Sequence, residues 1–296
     1  MLKAFLKAFL RLLVKPVMSP RFSVTFQRRG FVALAAALFS PRGTRRHTVD
    51  LGGVPAERTT SRSPSSGMTL LYLHGGGYCI GSARTCRSIT GHLAKVTGAT
   101  VYAPEYRLAP EHPHPAALED AVTSYRALLT QGVAPKSVVI AGDSAGAGLS
   151  VATAVTLREV GLPLPAALVL ISPWVDLTCT GDSHAIVGSR DPLLTTFGVK
   201  RWAAAYLGER SAQDPACSPL FADLRSLPPM LIQVGSEEIV LADSTRLHER
   251  ATAGGVAAEL HEYPGMWHDF QMYAGMLRES DAAMEEISSF LRKRLA

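Results

Sequence analysis

The segment Gly142–Gly146 (GDSAG) encloses one serine between two glycines. It follows the apolar run Ser137–Ala141 and precedes a helix-like stretch, Ala147–Arg158. At a strand-to-helix turn of this kind, the central serine is held in a strained backbone conformation, and only small neighbours avoid clashing with it. Free N–H groups at the start of the helix favour a developing negative charge beside the serine. Ser144 is therefore predicted to be a nucleophile.

A second glycine-rich motif, His74-Gly75-Gly76-Gly77, follows another apolar run at Thr69–Leu73. Gly75 and Gly76 have no Cβ, so their N–H groups can approach the oxygen of a tetrahedral intermediate. The N–H of Ala145 would be a third donor, and each such donor typically stabilises the transition state by roughly 3 kcal/mol. These three residues form the predicted oxyanion hole, and the two motifs together favour an acyl-transferring hydrolase.

A serine nucleophile needs a base, and in the chain order nucleophile, acid, histidine the base comes last. The last three histidines of the chain are His248, His261 and His268. His248 is predicted on a helix and His261 inside the last strand. His268 instead lies in a glycine-bearing loop after that strand, from which a side chain can reach the carboxyl edge of a sheet. His268 is therefore the predicted general base.

The acid that orients the imidazole is expected after the strand predicted at Pro229–Gly235. Glu237, Glu238 and Asp243 follow this strand. Asp176, which follows the preceding strand, is a fourth candidate. Adjacent residues cannot both point at the histidine, so one of the two glutamates is expected to face solvent. The residues alone leave the choice among these carboxylates open.

Segments with strand character alternate with helix-like segments from about residue 47 onward. A hairpin is predicted across Gly52-Gly53, between His47–Leu51 and Ala56–Thr60. The later predicted strands are Thr69–Leu73, Thr100–Ala103, Val138–Gly142, Ala167–Ser172, Pro229–Gly235 and Ala258–Tyr263. The predicted helices lie near residues 83–96, 115–130, 144–160, 243–254 and 279–293. This alternation predicts an α/β fold with a mostly parallel sheet covered on both faces.

One long interval interrupts the alternation. Between Leu177 and Leu227 there is no strong strand, although Trp202–Leu207 has helical character. An insertion at residues 178–227, placed after the carboxyl end of a strand, would lie over the active-site edge of the sheet. Together with the N-terminal residues, it is predicted to form a cap that shapes the acyl pocket.

The composition favours one large catalytic domain, residues 47–296, preceded by a basic arm. The chain has 296 residues and is 47% apolar, enough to bury a large core. Residues 1–46 carry ten Lys or Arg and no acidic residue, whereas residues 47–296 carry twenty basic and twenty-five acidic residues. The mildly acidic main body gives no support for nucleic-acid binding. Four cysteines without a C-x-x-C pair predict neither a disulfide framework nor a zinc site, and they fit a reducing, cytoplasmic compartment.

The N-terminal arm (residues 1–46) begins with an amphipathic pattern. Four basic residues recur every fourth position and form one stripe on a helix, with apolar residues over much of the rest. These basic residues are Lys3, Lys7, Arg11 and Lys15. The pattern fits a cap helix over an active site, a peripheral membrane contact through residues 1–20, or a targeting segment. A role of the arm in a homodimer is a further alternative.

Several motifs, in one order, resemble the bacterial hormone-sensitive-lipase-like family of carboxylesterases. Besides Gly142–Gly146, these are His74–Gly77 with Tyr78, Gly81 and Ser82, then Tyr106–Pro113 (YRLAPEHP), Ser172–Leu177 (SPWVDL) and Asp191-Pro192. The resemblance covers the chain from about residue 47 to the C-terminus. It implies the α/β-hydrolase fold, with a mostly parallel central sheet, helices on both faces and a helical cap or lid.

The resemblance also implies roles for individual residues. It assigns Ser144 as the nucleophile and His268 as the general base. In the more familiar form of the family, the acid is the aspartate of an Asp-Pro-Leu-x-Asp segment. Here the best-aligned position holds Glu238, which lies 30 residues before His268. The resemblance therefore favours Glu238 as the acid.

The activity implied by the resemblance is hydrolysis of short-to-medium acyl esters, with lactones as a further class, and without a metal or an organic cofactor. Acyl transfer to an alcohol by the same residues is one alternative function. Small-molecule binding on the same fold, without catalysis, is another. A binding protein derived from this family is expected to have lost the histidine, and this chain keeps His268. Hydrolysis is therefore favoured.

Overall fold

Runs of apolar residues form the centre of one sheet in the computed structural model, which describes residues 1–19, 21–62 and 66–295. The strands are β1 (Thr44–Asp50), β2 (Pro55–Ser61), β3 (Thr69–Leu73), β4 (Thr100–Pro104), β5 (Val138–Asp143), β6 (Ala167–Ile171), β7 (Met230–Gly235) and β8 (Ala258–Tyr263). Within the described residues their spatial order is β1-β2-β4-β3-β5-β6-β7-β8. β1 and β2 pair antiparallel, as do β2 and β4, and all other pairs are parallel. The predicted hairpin and mostly parallel sheet are confirmed.

Three helices precede β1, six lie between strands and one follows β8 in the described part of the chain. They are α1 (Leu2–Phe9), α2 (Lys15–Val17), α3 (Val24–Ala35), α4 (Arg87–Thr97), α5 (Ala116–Thr130), α6 (Ala145–Glu159), α7 (Ser183–Ile186), α8 (Thr196–Leu207), α9 (Leu241–Ala253) and α10 (Arg278–Leu295). A π-helical segment, Leu10–Val14, joins α1 to α2. Across the described residues, none of the helices has the length and apolar character needed to cross a membrane.

Helices cover both faces of the sheet because successive side chains of a strand point to opposite faces. On one face, α4 and α10 contribute Ile89, Leu93, Ile287 and Phe290 to a common apolar core. The other face is covered by α5, α6 and α9. The four central strands β3, β5, β6 and β7 are buried at every residue, which explains their near-continuous apolar sequences.

The carboxyl ends of the central parallel strands meet at one edge of the sheet. β3 and β5 end side by side, because Leu73 pairs with Gly142. β7 and β8 also end together, because Gly235 pairs with Tyr263. The loops that follow these strands carry the residues that the sequence analysis selects, so the topology brings those residues to one place.

The arm and the insertion 178–227 adjoin each other and this edge. Trp202 of α8 donates from Nε1 to Gln27 Oε1 of α3 (3.0 Å). The Trp202 indole lies so close to the backbone of Gly77 that a Cβ there would approach it to 2.5 Å. Helix α3 has no counterpart in the sequence prediction, although Ser23 caps it by accepting from Phe26 N (3.3 Å). Both segments predicted as a cap thus contact the loops of the carboxyl edge.

Candidate active site

Ser144 occupies the sharp turn between β5 and α6, with φ 53° and ψ −120°. This is an unfavourable conformation for a residue with a side chain, and the surrounding backbone enforces it. A Cβ at Gly142 would lie 2.5 Å from the backbone of Gly146, and one at Gly146 would overlap the carbonyl oxygens of Leu73 and His74. The two glycines are therefore required by close approach of backbone segments, as the sequence analysis predicts.

Ser144, His268 and Glu238 form a hydrogen-bonded chain at this turn. Ser144 Oγ lies 2.9 Å from His268 Nε2, and His268 Nδ1 lies 2.6 Å from Glu238 Oε2. A carboxylate can only accept, so Nδ1 carries the proton, and Nε2 is free to accept from the serine hydroxyl. All three side chains are buried, with exposed fractions of 8%, 2% and 0%.

The other three candidate carboxylates are held elsewhere. Glu237 forms an ion pair with Lys7 of α1 instead of facing solvent alone. Asp243 accepts from the backbone N–H groups of Val175 (3.0 Å) and Asp176 (2.9 Å). The carboxylate of Asp176 is itself paired with Arg246 (2.7 Å). Of the four, only Glu238 contacts His268.

Ser172 supports Glu238 and was not selected from the sequence. Its hydroxyl donates to Glu238 Oε1 (2.9 Å) and accepts from the backbone N–H of Asp269 (3.2 Å). The N–H of Gly235 also donates to Glu238 Oε1. Ser172 has a φ of 44°, a conformation rare for serine, directly after β6. The sequence signal was its place at the carboxyl end of a predicted strand, in the motif Ser172–Leu177.

Asp191 links the insertion to the loop that carries Glu238. Its fully buried carboxylate accepts from the backbone N–H groups of Leu193 (2.8 Å) and Leu194 (2.9 Å). It also accepts from the N–H of Ile239 (3.0 Å), the residue next to Glu238. The carbonyl of Asp191 accepts from Lys15 Nζ (2.6 Å). The arm, the insertion and the Glu238 loop therefore meet at one aspartate.

Two other histidines, His261 and His74, have partners away from Ser144. His261 on β8 pairs through Nδ1 with Glu286 (2.7 Å). His74 stacks on Tyr106 with ring centroids 4.2 Å apart, and its Nδ1 bonds to the carbonyl of Gly75 (2.8 Å). Burial lowers the pKa of His74 to about 4, so its ring is neutral at physiological pH. It braces the glycine loop.

Asp143 holds the first glycine of that loop. Its carboxylate accepts from the Tyr72 hydroxyl (2.5 Å) and from the backbone of Gly75. Burial raises the pKa of Asp143, and these two hydrogen bonds oppose that rise. Among the described residues, the N–H groups of Gly76, Gly77 and Ala145 have no hydrogen-bond acceptor. These three donors are therefore free, whereas Gly75 is engaged.

Asp269 places a second carboxylate beside the imidazole, since its Oδ2 lies 3.2 Å from His268 Nε2. Burial lowers the pKa of His268, but the carboxylates of Asp269 and Glu238 outweigh burial and raise it. Burial also raises the pKa of Asp269 well above its ordinary value. Asp269 adopts a φ of 55° and is 7% exposed. Its position directly after His268 was the only sequence signal for this contact.

Helix α3 fixes the far side of the glycine loop through one arginine. Arg28 donates from Nε to the carbonyl of Cys79 (2.8 Å) and from Nη2 to the carbonyl of Ala109 (2.9 Å). Its guanidinium also pairs with Glu111 (2.6 Å). Because these contacts join the arm to the loops after β3 and β4, the arm is part of the structure that surrounds the site.

Known proteins are similar to this chain in both sequence and fold. A family model described as the α/β-hydrolase fold matches residues 70–272. The acetyl-hydrolase of Streptomyces hygroscopicus is 48% identical over 226 residues, 76% of each chain. The esterase of Acinetobacter venetianus is 38% identical over 243 residues, which cover 82% of this chain and 80% of its own.

Solved structures are also similar to this chain. A crystal structure of an esterase from the bacterial hormone-sensitive lipase family matches with a TM-score of 0.95 and 40% identity, over 100% of this chain and 98% of that chain. The family model covers more than half of this chain, and the fold agrees over its whole length. The chain therefore belongs to the bacterial hormone-sensitive-lipase family of carboxylic ester hydrolases, within the α/β-hydrolase superfamily.

Proposed function

We propose that this esterase hydrolyses short-to-medium acyl esters through a covalent acyl-enzyme on Ser144. The observation that carries the proposal is the buried hydrogen-bonded chain from Ser144 Oγ through His268 to Glu238. In such a chain the imidazole removes the hydroxyl proton during attack, and the carboxylate orients the imidazole and stabilises its charged form.

The reaction then runs in two halves. Ser144 Oγ attacks the ester carbonyl carbon while His268 Nε2 takes the proton. The tetrahedral intermediate collapses, the C–O bond to the alcohol breaks, and Nε2 returns the proton to the leaving oxygen. A water molecule, deprotonated by the same nitrogen, attacks the acyl carbon and releases the carboxylic acid with Ser144 restored. The carboxylate of Glu238 holds the imidazole in position in both halves.

The oxyanion would be stabilised by the free N–H groups near Ser144. Gly76 and Ala145 are two of the three predicted donors, and neither N–H has an acceptor among the described residues. The third, Gly75, bonds to Asp143, which competes with a role as donor. We therefore propose Gly77, whose N–H is unengaged in the described part of the chain, as the donor beside Gly76.

The acyl-chain range is inferred from the relatives and the cap. The Streptomyces hygroscopicus relative is an acetyl-hydrolase, so small acyl groups are the first substrates to test. We propose that residues 1–46 and 178–227 form the cap that limits chain length. The packing of Trp202 against Gly77 supports this, because it puts a bulky side chain next to the proposed oxyanion loop.

The test is hydrolysis of p-nitrophenyl esters from acetate to palmitate by the purified parent and by Ser144→Ala. We expect activity on acetate and butyrate, a steep fall for long chains, and loss of activity in the variant. A fluorophosphonate probe should label the parent on the Gly142–Gly146 peptide and leave the variant unlabelled. Ser137→Ala is a matched control, because Ser137 lies at the opposite end of β5 and binds only the carbonyl of Ala134 in the described structure.

Two results would contradict the proposal. Retention of activity by Ser144→Ala would rule out this nucleophile, and maximal activity on palmitate would rule out the substrate range. Product analysis with an added primary alcohol separates hydrolysis from acyl transfer, because transfer yields a new ester and hydrolysis yields the free acid.

A further inference from the structure

The basic stripe of the arm faces the body of the protein. Lys3 pairs with Glu279 (3.2 Å), and Lys7 pairs with Glu237. Arg11 donates to the carbonyl of Arg190 (2.9 Å), and Lys15 donates to that of Asp191. Because these charges reach across to the body of the protein, a different side of α1 and its continuation is left to solvent, and that side is apolar.

The outer apolar face of this helix consists of Leu2, Phe5, Leu12 and Leu13. Their exposed fractions are 43%, 66%, 71% and 56%. Of the twelve large apolar side chains that are exposed among the described residues, eight lie at positions 1–39. Single exposed apolar residues are ordinary, but a concentration on one segment marks an interaction surface.

Two cavities of the cap lie beside residues of the arm. A groove of about 210 Å³ lies between α1 and α3, with Phe5, Phe9, Phe31 and Leu34 among its lining residues. A second cavity, of about 410 Å³, has Arg21 and Phe197 in its lining. Phe197 is 66% exposed. Apolar side chains are therefore exposed on α8 as well as on the arm.

The charge of the arm distinguishes between two occupants. Residues 1–46 carry ten cations and no acidic residue. Arg21 and Arg29 are exposed, and no carboxylate pairs with either among the described residues. A second copy bound through the same face would contribute the same arm, which has no acidic residue to neutralise these arginines. An anionic lipid surface offers both an apolar interior for the side chains and counter-charges for the arginines.

We propose that the outer apolar face of the arm binds peripherally to an anionic phospholipid surface. The helix lies in the plane of the interface with Phe5, Leu12 and Leu13 inserted among the acyl chains. Arg21 and Arg29 meet the headgroups. The basic stripe is not the contact, because its members already bind the protein.

The experiment is co-sedimentation of the full-length protein with vesicles of phosphatidylcholine, either alone or with about 30% phosphatidylglycerol. We expect binding to the anionic vesicles, weaker binding to the neutral ones, and a decrease with added salt because the charge contribution is screened. In the triple variant Phe5→Gln/Leu12→Gln/Leu13→Gln, partitioning should fall roughly tenfold or more. All three side chains are largely exposed, so the fold should tolerate the change.

The matched control is Val160→Gln, which alters an exposed apolar residue (52%) at the end of α6, away from the arm. It should bind vesicles as the parent does. Absence of parent binding to anionic vesicles would overturn the proposal, as would equal binding by the triple variant. A dimer seen by light scattering in the parent and lost in the triple variant would instead assign the face to a second copy, and would also overturn it.

Discussion

Replacing Asp269 with asparagine removes a carboxylate 3.2 Å from His268 Nε2 while keeping the shape of the side chain. Asparagine also tolerates the left-handed conformation of this residue, φ 55°. The backbone N–H of residue 269, which donates to Ser172, is unchanged. The variant therefore isolates the charge.

The expected effect follows from the sign of the interaction. A nearby carboxylate favours the charged imidazolium and raises the pKa of His268, whereas a base must be neutral to accept the Ser144 proton. Activity should therefore rise with pH through that pKa, and the acid limb of kcat/KM in the parent should lie above pH 6.5. Removing the carboxylate should move this limb to lower pH.

The magnitude can be worked from the distance. Opposite unit charges 3.2 Å apart attract by about 1 kcal/mol at a dielectric constant of about 80, and by about 5 kcal/mol at an effective value of about 20. One pKa unit corresponds to about 1.4 kcal/mol, so the shift lies between about one and about four units. Burial raises the pKa of Asp269 itself, which opposes its negative charge, so we expect the lower end of this range, about one unit.

The assay is kcat/KM for p-nitrophenyl butyrate from about pH 5 to about pH 10, read at the isosbestic wavelength of p-nitrophenol. Glu237→Gln is the control, because it removes a nearby carboxylate that pairs with Lys7 and does not contact His268. Its acid limb should stay close to that of the parent. If Asp269→Asn leaves the acid limb where it lies in the parent, the carboxylate does not set the pKa of His268 and the electrostatic reasoning fails.

Two further predictions concern the support of the site and the arm. Ser172→Ala removes a buried hydrogen bond to the carboxylate of Glu238, a contact of a kind that contributes about 1.5–3 kcal/mol, so kcat should fall roughly ten- to hundredfold with KM little changed. A rise in KM with kcat unchanged would instead assign Ser172 to substrate binding. Deleting residues 1–20 uncovers the apolar surface on which Leu6 and Leu10 are buried. The solubility of the enzyme should therefore drop, and its preference for acyl-chain length should change. A truncated enzyme equal to the parent in both properties would disprove the cap assignment.

The sheet was predictable because each central strand is an apolar run that the fold buries completely. Ser144 and His268 were also accessible to prediction, since one lies in a motif that steric crowding requires and the other follows the last strand. Only the family resemblance favoured Glu238 as the partner of His268. The residue patterns alone left the choice open, because Glu237 and Glu238 are adjacent and only the direction of each side chain separates them. That direction depends on distant partners, Lys7 for one and Ser172 for the other.

Two features of the sequence do not reveal their tertiary partners. Gly75 and Gly76 look equivalent in sequence, but the backbone N–H of Gly75 donates to the carboxylate of Asp143. The basic stripe of the arm fitted a cap helix, a membrane contact or a targeting segment, and in the structure its cations bind groups that lie more than 170 residues away along the chain. Periodicity shows which residues share a helix face, and it does not show which face meets the protein.

The position of Asp191 has a consequence for the engineering of specificity by cap exchange. This aspartate belongs to the insertion by sequence, yet it accepts the N–H of Ile239 beside Glu238. A foreign insertion without this aspartate would also remove a hydrogen bond from the loop that carries Glu238, the proposed acid. The same exchange would therefore change the substrate range and lower the rate. Exchange confined to α8 would change the side chains around Trp202 and keep the hydrogen bond between Asp191 and the Glu238 loop. The useful boundary for recombination therefore lies after Leu194, inside the insertion.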